Sequence, residues 1–161
     1  MRLAEEKKIV PILASEDYGA GVDMDSINMK NFHRATIICT TATIVGDAVL
    51  KVYSGASDGT KTSALTFNYA FGNEDIGTYT NATTAADILG ANATSAALTL
   101  TGTAYDDRML IVEVDASDMD IANGENWLTV EISSAGTSGF MHAVAILEPR
   151  YTDNVSASAL A

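Results

Sequence analysis

Apolar and polar positions alternate along much of the chain, which is the pattern of β-strands with one buried face. From Leu65 to Phe71, every second residue is Leu, Phe or Tyr, with Thr, Asn or Ala between them. Other segments, such as 35–44, are instead dense in β-branched residues, which favour strands. Together these patterns predict strands at 35–44, 48–55, 64–72, 97–102, 108–116, 126–134 and 140–151.

The number and spacing of the predicted strands indicate the fold class. Roughly seven or eight strands in short succession, joined mostly by connections that are not tight turns, are typical of an all-β protein. We expect an antiparallel β-sandwich of Greek-key or jelly-roll type, with at most a short helix near the N-terminus or at 84–90. Segments 48–55 and 64–72 should pair as a hairpin with a long connection. One domain, 23–151, accounts for these strands.

Two short segments flank this domain. Residues 1–22 are expected to form an N-terminal arm, and its apolar content is high for a free tail: Leu3, Ile9, Val10, Ile12 and Leu13. It can be an edge strand that packs on its own domain, or an arm that adds a strand to a neighbouring subunit. Residues 152–161 are small and polar, so we expect a flexible C-terminal tail.

Composition and charge exclude several classes of partner. With 161 residues, 47% of them hydrophobic, the chain can fill one core without a metal or disulfide, and we expect no cofactor. Its net charge of −12 disfavours binding to nucleic acid. No segment approaches the ~18 consecutive apolar residues of a membrane helix, so a membrane partner is not expected. The first residues lack the apolar core of a signal peptide, which indicates synthesis in the cytoplasm.

The stretch 115–125, DASDMDIANGE, is the densest cluster of acidic residues that could carry chemistry. An EF-hand calcium loop needs oxygen ligands at fixed alternate positions, but Met119 and Ala122 stand where two of them should be, one in each possible register. An irregular calcium site is the remaining metal hypothesis. A catalytic carboxylate pair, Asp118 and Asp120, would require burial that raises one pKa, and the surrounding sequence does not promise it.

A structural role explains the same residues more fully. The strand before them ends near Asp115, and the side chains of Asp115 and Asp118 can cap backbone N–H groups as the chain turns. Asn123 and Gly124 can reverse the chain direction. We therefore interpret Asp115, Asp118, Asp120, Asn123 and Gly124 as a corner between two strands. The second strand should run antiparallel to the first, with Met119 and Ile121 of the corner facing the core.

No other group of residues predicts catalysis. The two histidines, His33 and His142, lie in predicted strands and are expected to be half-buried structural residues. Cys39, the single cysteine, is expected to be a small core residue. No nucleophile, base and orienting group can be assembled from recognisable motifs, so we do not expect an enzyme and assign no catalytic, cofactor or metal residues. Trp127 with Tyr151 could form a platform for sugar stacking, although a core or subunit contact is the favoured interpretation for a single tryptophan.

The C-terminal third resembles a known group of proteins. IVEVDASDMDIANGENWLTVEIS followed by AVAILEPRY resembles a C-terminal pattern of small β-rich proteins of tailed bacteriophages. The residues that carry it are Asp115, Asp118, Met119, Asp120, Asn123, Gly124, Arg150 and Tyr151. The likeness covers about residues 108–151, and 25–55 resembles the same proteins more loosely.

The resemblance implies a non-enzymatic virion structural protein, specifically a capsid decoration (cement) protein. The partners it implies are further copies of the chain, for example in a trimer, and a phage major capsid protein. The protein would then lie on the capsid surface of the virion. Arg150 and Tyr151, with the apolar residues of the arm, are the expected contacts, since a sandwich leaves its chain ends near the rim. Two alternatives remain: a phage tail or receptor-binding (carbohydrate-binding) module that uses Trp127, and a calcium-stabilised accessory domain of an enzyme.

Overall fold

The structure is a computed structural model, and it describes residues 2–76, 87–102, 104–151 and 155–161. The helical turn expected at 84–90 therefore lies partly outside the described residues. In chain order the elements are α1 (Leu3–Glu6), β1 (Lys8–Asp17), β2 (Val22–Asp23), β3 (Ile27–Asn28), β4 (Phe32–Ile44), β5 (Ala48–Gly55), β6 (Ser63–Leu65), β7 (Phe67–Phe71), β8 (Ala93–Ser95), β9 (Leu98–Leu100), β10 (Met109–Asp115), β11 (Trp127–Ile132) and β12 (Gly139–Pro149). Short 3-10 turns occupy Met29–Asn31, Ala116–Asp118 and Ile121–Asn123.

The strands form two antiparallel sheets. Sheet A has the order β1-β12-β4-β10-β7-β8, and sheet B has the order β2-β11-β5-β6, with β3 also pairing with β11 and β9 with β5. The predicted all-β sandwich is confirmed, and α1 is the short helix that the sequence allowed near the N-terminus. No helix in the described part of the chain is long and apolar enough to span a membrane.

The core lies between the two sheets, and it is built by alternation along each strand. In β4 and β5, Ile37, Cys39, Leu50 and Val52 are fully buried, whereas their neighbours along the strand are partly or fully exposed. In β12, every second residue from Met141 to Leu147 is buried in the same way. Burial of an aliphatic side chain of this size stabilises the fold by ~1.5–3 kcal/mol, so this inward face supplies much of the stability.

The expected hairpin of 48–55 with 64–72 is correct only in its first part. β6 pairs with β5 in sheet B, but β7 belongs to sheet A, where it pairs with β10 and β8. Thr66 lies between the two strands and is exposed, whereas Leu65 and Phe67 on either side of it are buried. The chain therefore crosses from one sheet to the other at Thr66 while both apolar side chains stay in the core. An alternating pattern cannot distinguish such a crossing from one continuous strand.

The corner after β10 also crosses between the sheets. The expectation that β11 runs antiparallel beside β10 is wrong, because β10 pairs with β4 and β7 in sheet A while β11 pairs with β2, β3 and β5 in sheet B. The two short 3-10 turns between them give the chain the length to pass across the core. Met119 is buried there as expected, but Ile121 is exposed instead of facing the core.

Both flanking segments pack on the domain. β1, within the segment expected as an arm over 1–22, is an edge strand of sheet A that pairs with β12 of the same chain from Lys8 to Asp17. At the other end, the amide of Asn28 donates a hydrogen bond of 2.8 Å to the carbonyl of Ala159. Ala159 is buried, and Leu160 packs against the core. The expectation of a flexible tail over 152–161 is therefore wrong for these last residues.

We predict that the protein loses stability at alkaline pH because of the environment of Tyr18. Its side chain is fully buried, and its hydroxyl has no hydrogen-bond partner within the described residues. Burial, reinforced by the negative charges of Asp106 and Asp17, raises the pKa of Tyr18 from 10.0 to about 12. The unfolded chain then releases this proton at lower pH than the folded chain, so stability falls between about pH 10 and pH 12. Burial raises the pKa of Cys39 from 9.0 to about 12, so its contribution is lost over a wider range that begins near pH 9.

Tyr18→Phe separates the two contributions. Near neutral pH we expect its stability to stay within about 1 kcal/mol of the original protein, because the lost hydroxyl has no bond to give up. Above pH 10, denaturant titrations should show a shallower decline for Tyr18→Phe. Cys39→Ala should instead reduce the decline that begins near pH 9. Identical alkaline profiles for Tyr18→Phe and the original protein would contradict the assigned pKa.

Candidate interaction surface

Two of the three aspartates of the corner have separate hydrogen-bond partners. Asp115 closes β10 and accepts a hydrogen bond of 2.8 Å from Nε of Arg34, which lies opposite it on β4. This bond is the main reason that the pKa of Arg34 is raised. Oδ2 of Asp120 accepts a bond of 2.7 Å from Nδ2 of Asn123. Asp118 is exposed, and Gly124 has the left-handed conformation, with φ of 81°, which glycine adopts without strain.

These contacts describe a turn rather than an ion site. Among the described residues, no three side chains of His, Cys, Asp or Glu come together in a way that could hold a metal ion. The capping role expected for Asp115 is also not observed, since its side chain makes no cap hydrogen bond and faces Arg34 instead. The corner thus carries the chain from sheet A to sheet B, and the carboxylates of Asp115 and Asp120 bind different partners.

Glu125 is the corner residue that the sequence interpretation missed. It is buried, and its carboxylate accepts hydrogen bonds from the hydroxyls of Ser54, at 2.6 Å, and Ser63, at 3.2 Å. These serines lie on β5 and β6, so one carboxylate fastens the start of β11 to two strands of sheet B. No local pattern marks Glu125, because its partners lie more than 60 positions away in the chain.

Removing this carboxylate should destabilise the protein more than removing an exposed one. Glu125→Ala leaves the buried hydroxyl of Ser54 without its partner, and an unsatisfied buried group costs about 1–3 kcal/mol. Asp118→Ala, in the same corner, is the matched control and should change stability by no more than ~0.5 kcal/mol. Chemical denaturation at pH 7 measures both variants. Equal losses for the two would show that Glu125 does not fasten the corner.

The histidines, the cysteine and the tryptophan do not form a common site. His33 and His142 are both exposed, so the expectation of half-buried histidines is wrong. His142 faces outward on β12, on the same side as Phe140 and Val144. Cys39 is fully buried in the core. Trp127 is half-buried at the start of β11, and the structure gives it no aromatic neighbour within the described residues.

The outer face of sheet A carries a largely apolar surface, which we call the apolar face. Its residues are Ile9, Pro11, Ile38, Thr40, Ala42, Met109, Ile111, Phe140, His142, Val144 and Ile146. The strand registers align four of them in one row across four strands: Pro11 opposite Val144, Val144 opposite Ile38, and Ile38 opposite Ile111. Side chains directly opposite each other on one face of a sheet are in contact range, so the row forms one surface.

Most of the charge on this face lies toward its two ends. Glu113 shares a row with Ile9, Ile146 and Thr36, and its carboxylate accepts a hydrogen bond of 3.4 Å from the Thr36 hydroxyl, while Asp17 lies opposite Phe140. Glu148, Arg34 and Asp115 lie in one cross-strand row beyond the apolar residues. Arg34 binds Asp115, and Nζ of Lys7 donates a hydrogen bond of 2.7 Å to Glu148. That bond to Lys7 is the main cause of the lowered pKa of Glu148. The acids of this row are thus paired with bases, and the rows through Val144 and His142 contain no acidic residue.

Only some of the contact residues predicted from the sequence are exposed and can reach a partner. Val10, Ile12 and Leu13 are buried in the core of their own chain and cannot contact a partner. Leu3 and Ile9 are exposed by 45% and 42%, and Tyr151 is exposed by 74%. Arg150 is exposed, with its Nε held by the carbonyl of Phe32 at 3.1 Å. Since β1 and β12 are antiparallel neighbours, Ile9 and the Arg150–Tyr151 pair lie toward the same end of sheet A.

Comparisons with known proteins add one distant likeness. No family model matches the chain, and no curated protein sequence matches it. Among solved structures, it is similar to the crystal structure of SPBc2 prophage-derived protein YomS, over 87% of this chain and 92% of that chain. The two are 11% identical in sequence, with a TM-score of 0.48. At that level the likeness carries no argument about function.

Proposed function

We propose that the protein is a non-enzymatic structural component of a tailed-phage virion, which oligomerises and binds the capsid exterior as a decoration protein. Two independent features support this. The first is the residue pattern of 108–151, which resembles that of small β-rich virion proteins. The second is the apolar face, which suits a protein whose work is to bury surface against other proteins.

The apolar face is the observation that carries the proposal. An ordinary monomer covers its sheets with alternating polar residues, and a contiguous apolar patch of several hundred Å² marks an interaction site. Here Phe140 and Ile9 are each 42% exposed, and Ile38, Ile111 and Val144 between them are partly exposed. Aliphatic and aromatic side chains at these positions do not contribute to the core, which lies on the other side of the sheet.

The distribution of charge fits an outward-facing component. The protein has 21 acidic and 9 basic residues, and exposed carboxylates such as Asp23, Asp25 and Asp58 lie in sheet B or in the loops beside it. Such a surface repels nucleic acid and other acidic particles. A face whose central rows are uncharged, together with an acidic remainder, suits a protein that binds a shell on one side and meets solvent on the other.

Reconstitution tests this function. Purified protein is mixed separately with capsids that lack it and with isolated tails, and binding is followed by co-sedimentation and by the thermal stability of the particles. We expect binding to capsids, with regular density on the shell and a higher disassembly temperature. Binding to tails alone would replace the decoration role with the tail or glycan-binding role, for which Trp127→Ala is the next variant. Binding to neither would contradict both.

A further inference from the structure

We propose that a second copy of this chain occupies the apolar face, with the sheets A of two copies packed face to face about a twofold axis. This deepens the proposed function, and rests on it, by assigning the contact through which the protein oligomerises. The row through Pro11, Val144, Ile38 and Ile111 then meets the same row of the partner. Each residue of the row is buried by apolar side chains instead of water.

The size of the face suits such a pair. Strands rise ~3.4 Å per residue and lie ~4.8 Å apart, so the whole outer side of β1, β12, β4, β10 and β7, including its charged rows, spans roughly 750 Å². A standard specific interface buries ~800 Å² on each partner. A contact of standard size would therefore extend over the whole outer side of sheet A, with the apolar face at its centre and the paired charges of Glu148, Arg34 and Asp115 at its rim. Two stacked sheets lie ~10 Å apart with their side chains interdigitated, and the half-exposed aliphatic residues here are long enough to fill that space.

The charge distribution on the apolar face favours binding of a second copy of this chain over binding of a positively charged partner. Two chains that each carry a net charge of −12 repel one another unless their contact is free of unpaired acids. The central rows of the apolar face meet this condition, and the carboxylates of Asp115 and Glu148 at its end are already paired with Arg34 and Lys7. A basic partner would instead be recognised through exposed carboxylates, which those rows lack.

Two other surfaces through which copies could join are obstructed. The edge strand β1 contains Pro11, which has no N–H, and its pairing with β12 is interrupted on both sides of Leu13. Such irregularities prevent strand addition at a sheet edge. The outer side of sheet B is crossed by the loop after β5, where Gly59 donates to the hydroxyl of Ser26 and Lys61 bridges Asp23 and Glu131. The apolar face carries neither of these obstructions.

A matched pair of valines tests the contact. Val144 and Val49 are both half-buried on the outer side of a sheet, Val144 on sheet A and Val49 on sheet B. Val144→Lys, Val49→Lys and the original full chain are compared by sedimentation equilibrium over a concentration series, with circular dichroism to verify folding. Thr40→Arg, at an exposed position of the same face, is a second variant in case Val144→Lys does not fold.

We expect the original chain and Val49→Lys to form a dimer with similar dissociation constants. Val144→Lys and Thr40→Arg should each weaken dimerisation by about 100-fold or more. A monomer at all concentrations, a trimer, or a dimer that both face variants leave intact would overturn the inference. If the chain is monomeric but still binds capsids, the inference and the oligomerisation fail, and the capsid-binding role stands. If it dimerises through this face but binds no phage particle, the proposed function fails and the contact stands.

Discussion

Phe67→Ala is expected to lower the free energy of unfolding by ~3–5 kcal/mol, the usual cost of deleting a buried aromatic ring. Phe67 is 1% exposed and opens β7, immediately after the chain has crossed from sheet B to sheet A. Its ring also lies 6.3 Å from that of Tyr69, in a tilted arrangement. The substitution therefore removes core volume at the point where the two sheets are joined by the chain, and urea denaturation at pH 7 measures the loss.

Phe140→Ala is the matched control for this prediction. Phe140 also lies in a strand of sheet A, but it is 42% exposed on the outer face. In dilute solution, where copies are apart, its truncation should lower stability by no more than ~1 kcal/mol, because little apolar area returns to water. A loss for Phe140→Ala as large as that for Phe67→Ala would mean that Phe140 belongs to the core and not to the apolar face.

Gly139→Ala is expected to lower stability by about 3 kcal/mol, at the upper end of the range for overpacking a filled core. A Cβ at Gly139 would lie 2.5 Å from Cζ and 2.7 Å from Oη of Tyr18. The tyrosine is fully buried and cannot move away without displacing its neighbours. The expected loss arises because the side chain of Tyr18 packs directly against the backbone at Gly139. Thermal or urea denaturation measures the change in stability.

A double-mutant cycle identifies the clash as the cause. In a Tyr18→Leu background the ring atoms are gone, so Gly139→Ala should cost at least about 1 kcal/mol less than in the original protein. If Gly139→Ala is equally destabilising in both backgrounds, the effect arises from the backbone of β12 and not from Tyr18.

The strands could be predicted from the sequence because alternation is a local signal. Leu50 and Val52 face the core while Lys51 and Tyr53 are less buried, as the pattern in 48–55 indicates. The same signal fails where the chain changes sheet, at Thr66 and at the corner after Asp115. Inward and outward positions continue to alternate through such a crossing, and the hydrogen-bond partners of each strand are decided by packing between distant segments.

The apolar face could not be predicted from local sequence patterns, for a similar reason. The apolar face combines Pro11, Ile38, Ile111 and Val144, which come from four segments and become neighbours only through the strand registers. In the sequence, Ile38 and Ile111 stand in nearly continuous apolar runs, so they read as core residues. The acidic stretch drew attention because its residues are adjacent in sequence, yet its one buried carboxylate, Glu125, depends on serines from other strands.

The rate of thiol labelling tests most directly whether the apolar face is the interaction surface. The natural thiol of Cys39 is fully buried, so a cysteine introduced at an exposed position reports on that position. Thr40→Cys places a thiol on the apolar face, and Thr99→Cys places one at an exposed position of sheet B. The rate at which maleimide labels each introduced cysteine is measured for the dilute chain and for the chain after assembly, as a dimer or on the capsid. We predict at least about tenfold slower labelling of Thr40→Cys on assembly and no change for Thr99→Cys. Unchanged labelling of Thr40→Cys with protection of Thr99→Cys would contradict the account.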